Sequence, residues 1–278
     1  MTAASLKEVL IPAMEEHRAV AGLVVLGWED AWGYVEAAEE TGIPIILQAG
    51  PGCRAHTPVP ILGKMFRHLA DQASVPIVCH IDHGYSVQDC IEGIDNGFTS
   101  VMFDGSKLTI SENIDITAQI VEKAHPAGVS VEGEVGFVGY AEGAPSANTL
   151  PEEAARFSNE SGVTALAISV GNVHLNTKKT SGISFGALKA IEEVTTLPLV
   201  LHGGSGIPVN VRKRLAQESR VSKFNIGTEL RMAFGNALRK SLTDNCDSFD
   251  RIRLLAPTVD AVKSATIEVI RALNGKQE

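Results

Sequence analysis

Val75–Tyr85 reads V-P-I-V-C-H-I-D-H-G-Y, a run of strand-forming residues (Val75, Ile77, Val78, Ile81) that turns polar at His80, Asp82 and His83 before Gly84. Alternate residues of a strand share a face, so His80 and Asp82 point the same way. His83 falls where the strand gives way to a loop. An apolar strand that becomes polar only at its C-terminal tip is how parallel α/β proteins present reactive groups. Taken alone, the stretch also suits a hydrogen-bonded core histidine beside a helix-capping aspartate. The same pattern recurs along the chain, and that recurrence decides the reading.

Upstream, Ser5 caps a helix through His17, with Leu6, Val9, Leu10 and Ala13 at helical spacing. Ala19–Leu26 and Ile43–Gln48 read as the first two strands, with a helix over Glu29–Thr41 between them that stops at Gly42. Pro51–His56 reads as a glycine-bearing loop before the helix Pro58–Ala73. Downstream, strands Thr99–Phe103, Val129–Glu134, Val163–Val170, Leu197–Leu201 and Val221–Ile226 alternate with helices Ser86–Asn96, Glu112–Ala127, Pro151–Ser161, Phe185–Thr195 and Pro208–Ser219. Helices Glu229–Leu242 and Ala256–Leu273 close the chain. The polar, glycine-rich stretch Val135–Leu150 has the length and composition of a mobile functional loop. Strands that are almost wholly apolar belong to a parallel sheet covered on its outside. Eight of them predict a closed (β/α)8 TIM barrel, one domain over residues 1–278. A doubly wound open sheet is the alternative, weakened by the absence of a G-x-G-x-x-G turn after the first strand.

The net charge of −9 and the absence of a basic cluster argue against a nucleic-acid surface. A phosphorylated ligand would therefore be held by local donors rather than by a broad positive field. Cys53, Cys79, Cys90 and Cys246 form no C-x-x-C pair, as in a reduced cytoplasmic protein. The start, M-T-A-A-S-L-K-E-V-L, reads as an amphipathic helix rather than a signal peptide, and no apolar run reaches membrane-span length.

The chemistry collects at strand tips. Asp82 and His83 end the third strand and Asp104 the fourth; Glu132 and Glu134 share a face of the fifth; His174 follows the sixth, His202 ends the seventh and Asn225 lies in the eighth. In a barrel these tips converge on one rim. Buried charge is too costly to gather there unless paired or bound to a metal. Three histidines on one rim suit a zinc site with an open position, although each could singly be structural. Carboxylates beside them could be outer-sphere acceptors, a second cation position, or an acid and base. Separately, Gly203-Gly204-Ser205-Gly206 and Asn225-Ile226-Gly227-Thr228 are strand-to-helix turns that offer backbone N–H groups and a hydroxyl to an anion. Adjacent turns after strands seven and eight match the barrel's habitual phosphate site.

In order and spacing, H-I-D-H, S-V-M-F-D-G-S, S-V-E-G-E-V-G, L-V-L-H-G-G-S-G and F-N-I-G-T-E-L resemble the class II, zinc-dependent ketose-bisphosphate aldolases, fructose- and tagatose-bisphosphate aldolases among them. The likeness runs from about residue 5 to residue 273. It implies reversible cleavage of a ketose (bis)phosphate to dihydroxyacetone phosphate and an aldehyde, a step of carbohydrate metabolism such as glycolysis, in a cytoplasmic homodimer or larger homo-oligomer. It implies zinc on His83, His174 and His202, with Asp104 and Glu134 lining an alternative metal position. Zinc would polarise the C2 carbonyl and stabilise the enediolate left by C3–C4 cleavage. Asp82 becomes the acid/base at the C4 oxygen. Gly203, Gly204 and Ser205 with Asn225, Ile226, Gly227 and Thr228 would hold the C1 phosphate, with a monovalent cation such as Na+ or K+ near it. Glu142, on the mobile loop, would move the C3 proton. Read without the resemblance, it is a solvated loop charge.

Three departures fall within the likeness. Leu175 follows His174 where the family usually has Gly; strand one lacks the family's A-F-N segment; and D-R-I-R-L-L replaces P-R-x-Y-L, leaving Arg251 or Arg253 as imperfect partners for a C6 phosphate. The Leu175 backbone could still serve the substrate. The departures spare the metal and C1-phosphate side and bear on the aldehyde half, so an aldehyde without a phosphate is expected to be acceptable. Three rivals share the barrel. A zinc hydrolase would want metal ligands on strand one, often H-x-H, and Ala19–Leu26 has none. A Schiff-base aldolase would need a lysine at a strand tip, and Lys223 shares the Asn225 face but lies deeper. A non-catalytic sugar-phosphate binding protein would take Leu175 as its best sign.

Overall fold

In the computed structural model, which describes residues 2–143, 145–180 and 182–275, eight parallel strands close into a barrel. Ala144, within the predicted loop, lies outside that set. The strands are β1 (Val20–Val24), β2 (Ile45–Ala49), β3 (Ile77–Gly84), β4 (Ser100–Phe103), β5 (Ser130–Val135), β6 (Ala165–Ile168), β7 (Leu199–Leu201) and β8 (Val221–Ile226). Each pairs in parallel with its sequence neighbours, and β8 returns to β1 with Val20 opposite Lys223 and Gly22 opposite Asn225. The predicted TIM barrel is therefore the fold, and the open sheet is excluded by this closure. A short strand, Ala3–Ala4, adds to the start of β3.

Two cores follow from the two faces of each strand. Outward side chains such as Leu23, Leu47, Ile81 and Phe103 pack under the surrounding helices. Inward ones at the N-terminal end, among them Val20, Ile46, Val78 and Met102, meet Leu6, Val9, Leu10 and Ala13 of the helix Leu6–Glu15. That helix is fixed by a capping box between Ser5 and Glu8, and its apolar stripe closes the bottom of the barrel. Above this plug the inward positions become polar, as Val78, His80 and Asp82 do along β3.

Two elements differ from the expected bounds. Pro51–His56 is a helix rather than a loop: Pro51 occupies its first turn, where a missing N–H costs nothing. The last helix begins at Arg251, capped by the Asp250 side chain, and carries Pro257 inside it. Proline usually marks a first turn, which is why the sequence alone set that start near Ala256.

Candidate active site

The β3 tip does not simply give out. His83 adopts a left-handed backbone (φ 52°), and the β3–β4 register shifts between Ile81 and Gly84. This break in the two-residue period brings His83 onto the rim beside Asp82. The conformation is costly for a non-glycine residue. Arg54, from the helix after β2, supports it by donating to the backbone carbonyls of Ala49, Asp82 and His83.

The three imidazoles converge. Ring centroids lie 4.7 Å apart for His83–His202, 5.4 Å for His83–His174 and 5.7 Å for His174–His202. One nitrogen from each falls within a 4.8 Å cluster that could hold a metal ion, and His83, Asp104 and Glu134 form a second such group. His83 Nδ1 bonds to Asp104 at 2.8 Å and lies 3.8 Å from Glu134. His202 Nδ1 lies 3.7 Å from Glu134 Oε2. Both of these buried atoms lack a hydrogen-bond partner. An orphaned imidazole nitrogen facing an orphaned carboxylate oxygen leaves room for a cation between ligands, so the residues present fit a metal.

The charge balance agrees. Burial opposes a proton on His83, yet Asp82, the Asp104 hydrogen bond and Glu134 raise it to about 9. Burial lowers His174 to about 4, assisted by the His83 charge, and holds His202 well below its usual value. Burial and the Asp104 charge raise Glu134 to about 8 against the pull of His83. Burial also raises Asp82, but His83, His202 and Lys223 outweigh it, and the net shift is downward. Asp82 is thus a carboxylate at neutral pH. Its Oδ1 accepts from the amides of Gln48 (2.9 Å) and Asn225 (3.0 Å), leaving Oδ2 unclaimed on the side of Gly50. Gly22 makes this possible, because a Cβ there would sit 2.0 Å from Gln48 Oε1.

These groups open into a cavity of about 300 Å³ lined by Asp82, His83, His174, Leu175 and the two glycine-bearing turns. Gly203 is left-handed (φ 64°), with the Val173 carbonyl 2.3 Å from where a Cβ would stand. Gly204–Gly206 then forms a single 3-10 turn whose first N–H groups have no acceptor within it. Ser205 Oγ accepts from the N–H groups of Gly227 and Glu229, tying the turns together, and its own hydrogen remains to donate. Gly203, Ser205, Asn225, Gly227 and Thr228 line the cavity. The Ile226 side chain is instead packed in the barrel wall against Gly204. The Asn225 side chain serves Asp82.

Glu142 is not brought to the histidines. It is exposed and lines a neighbouring cavity with Leu175 and Asn176. Tyr140 of the same loop does reach the site: it stacks on His174 at 5.1 Å, and the backbones of Gly139, Ala141 and His174 are hydrogen-bonded. Lys223 is fully buried, 2.7 Å from Glu132, and is not among the residues lining the cavity, which weakens the footing for a Schiff-base enzyme. Sequence reading missed Gln48, Arg54 and Arg231, the one Lys or Arg among the described lining residues. For Gln48 the signal was available: a polar residue ending an apolar strand.

Leu175 is left-handed too (φ 55°) and 51% exposed. Its φ costs a side-chain-bearing residue about 1–2 kcal/mol, whereas glycine loses about 0.4–1 kcal/mol through the unfolded chain. Leu175→Gly is therefore expected to leave stability unchanged or raise it by up to about 1.6 kcal/mol. Urea unfolding checks this, and a loss above 1 kcal/mol would mean that contacts of the leucine side chain outweigh the strain.

Comparison with known proteins places this site in context. The family model for fructose-bisphosphate aldolase class-II matches residues 4–278. The fructose-bisphosphate aldolase of Geobacillus stearothermophilus is 35% identical over 280 residues, 98% of this chain and 96% of the relative. That of Staphylococcus epidermidis is 35% identical over 281 residues, 98% and 97% of the two chains. Among solved structures, the YdjI aldolase of Escherichia coli K12 superposes with a TM-score of 0.85 at 31% identity, covering 99% of this chain and all of the other.

Proposed function

Because the chain belongs to the class II fructose-bisphosphate aldolase family, a family of metal-dependent carbon–carbon lyases, we propose that it is a zinc enzyme cleaving a ketose 1-phosphate or 1,6-bisphosphate to dihydroxyacetone phosphate and an aldehyde. The observation that carries this reading is the meeting of His83, His174 and His202 beside an Asp82 carboxylate with one free oxygen.

The three histidines would hold zinc, with Asp104 and Glu134 as the alternative position. Bound there, the metal would supply Lewis-acid polarisation of the substrate's C2 carbonyl. Asp82, pinned through Oδ1, uses Oδ2 to take the C4 hydroxyl proton as the C3–C4 bond breaks; the aldehyde forms and the bonding electrons stay with the dihydroxyacetone phosphate fragment. In condensation the same proton returns to the aldehyde oxygen. Gly203–Ser205 and the Gly227–Thr228 turn hold the C1 phosphate, with Ser205 donating its hydroxyl and the Arg231 guanidinium beside Gly227. A Na+ or K+ ion near that phosphate is part of the same reading. Glu142 would move the C3 proton, a role that requires its loop to carry it from the neighbouring cavity to the histidines.

On the aldehyde side, Val24 and Leu26 at the β1 tip offer no polar side chain. Arg251 does not line the reaction cavity; it lines two other grooves, one of which adjoins the cavity at Leu26 and Arg231. A C6 phosphate therefore gains little within this chain. The expected result is a kcat/KM for fructose 1-phosphate within about tenfold of that for fructose 1,6-bisphosphate or tagatose 1,6-bisphosphate, a gap of roughly 1.4 kcal/mol. Release of dihydroxyacetone phosphate, followed with and without a chelator, tests both parts. Release that a chelator leaves intact would sink the zinc assignment, and a hundredfold preference for the bisphosphates would sink the substrate assignment. Among the described residues no helix is long and apolar enough to cross a membrane. The homo-oligomer reading rests on the family and on apolar surface such as Phe249 (98% exposed) and Ile252 (81%).

A further inference from the structure

Beneath the histidines lies a buried charged network that the reaction above does not use. Lys223 Nζ lies 2.7 Å from Glu132 Oε2 and 3.5 Å from His80 Nε2; Glu132 Oε1 lies 3.1 Å from His202 Nε2, and His80 Nδ1 lies 2.8 Å from Ser100 Oγ. All five side chains are fully buried in the barrel interior. A desolvated Lys–Glu pair is poor value as a source of stability, since apolar residues of similar volume are often as stable or more so. Its presence in the fully buried layer between the apolar plug and the histidines asks for another reason.

We infer that Glu132 and Lys223 are positioning residues that fix the tautomer of His202. A neutral imidazole donates from one nitrogen and accepts at the other. The Glu132 carboxylate can only accept, so it takes the Nε2–H bond and leaves the Nδ1 lone pair toward Glu134, where that atom has no other partner. Lys223 can only donate, and it claims the second Glu132 oxygen. His80 completes the set by accepting from Lys223 through Nε2 and donating through Nδ1 to Ser100. Ligand histidines are commonly oriented in this way through their second nitrogen.

Lys223 makes the arrangement testable in an unusual direction. In Glu132→Gln the new side chain carries one acceptor and one donor end. Lys223 faces it with donors only, so the amide turns its oxygen to Lys223 and its NH2 to His202 Nε2. Nε2 must then accept, the proton moves to Nδ1, and the lone pair is lost from the cluster. Adding Lys223→Met removes that demand and lets the amide oxygen turn back to His202.

The inference rests on the zinc reading above, and the experiment separates the two. Long-range 1H–15N spectra of the metal-free protein are expected to show His202 protonated at Nε2 in the wild type and at Nδ1 in Glu132→Gln. Zinc affinity from chelator competition is expected to fall about 10- to 100-fold in Glu132→Gln and to recover at least about tenfold in the double variant, with circular dichroism confirming the fold of each. A wild-type His202 protonated at Nδ1 overturns the inference without any variant. So does a double variant bound no more tightly than Glu132→Gln, which would mark the network as merely structural. A wild type with the Nε2–H tautomer that takes up no zinc would instead overturn the zinc reading alone.

Discussion

Asp82→Asn is expected to lower kcat for cleavage by about 10²- to 10⁴-fold, the range associated with a positioned acid/base, while zinc content and KM stay near those of the wild type. The substitution keeps size and shape. If the new amide oxygen occupies the Oδ1 position, it still accepts from Gln48 and Asn225, and the NH2 group falls where Oδ2 faced the cavity. An amide NH2 cannot accept the C4 hydroxyl proton, so the defect should appear in the bond-breaking step. Single-turnover release of dihydroxyacetone phosphate, with metal analysis of the same sample, measures this. A kcat within tenfold of the wild type would remove Asp82 from the proton transfer. A proportional loss of zinc would reassign its carboxylate to holding the cation.

That Asp82 could be singled out from sequence, and the support it draws from Gln48 and Gly22 could not, reflects what local pattern encodes. The two-residue period of β3 and its switch from Val78 to His80 and Asp82 lie in consecutive residues, and eight such strands leave few ways to cover an apolar sheet. The motifs around His174, His202 and the glycine turns were legible for the same reason. What holds Asp82 is set across the barrel: Gln48 comes from β2, Asn225 from β8, and Gly22 on β1 clears the space between them. No spacing within one segment announces such a triple meeting. The left-handed turn at His83 was hidden likewise, because it depends on Arg54, which bonds the carbonyls of Ala49, Asp82 and His83 from another strand's tip. Glu132 reads from sequence as a rim carboxylate, whereas the structure buries it beneath the histidines, between His202 and Lys223. Lys223 sits on β8, and only closure of the barrel brings it within 2.7 Å of Glu132.

His174→Ala and Asp104→Ala are expected to part company by orders of magnitude. His174 has little structural duty in its side chain beyond the Tyr140 stack, so its removal tests the metal with small risk to the fold. Lewis-acid stabilisation is worth several kcal/mol, and each 1.4 kcal/mol or so is a factor of ten in rate. Loss of one of three imidazole ligands should therefore cost about 10³-fold or more in kcat/KM, together with most of the bound zinc. Asp104 is differently placed. Its Oδ1 is committed to the Ser106 N–H and hydroxyl, and its Oδ2 to His83 Nδ1. It acts as the acceptor that orients His83, and outer partners of that kind typically contribute 10- to 100-fold in metal affinity. Asp104→Ala should keep its zinc at saturating concentration and much of its rate. Thermal melting gives a readout independent of turnover, because an ion that binds only the folded state raises Tm by mass action. A chelator should lower the Tm of wild type and Asp104→Ala and leave that of His174→Ala where it is. The reverse pattern, with Asp104→Ala blind to chelator and His174→Ala still sensitive, would move the resting metal to the His83–Asp104–Glu134 position.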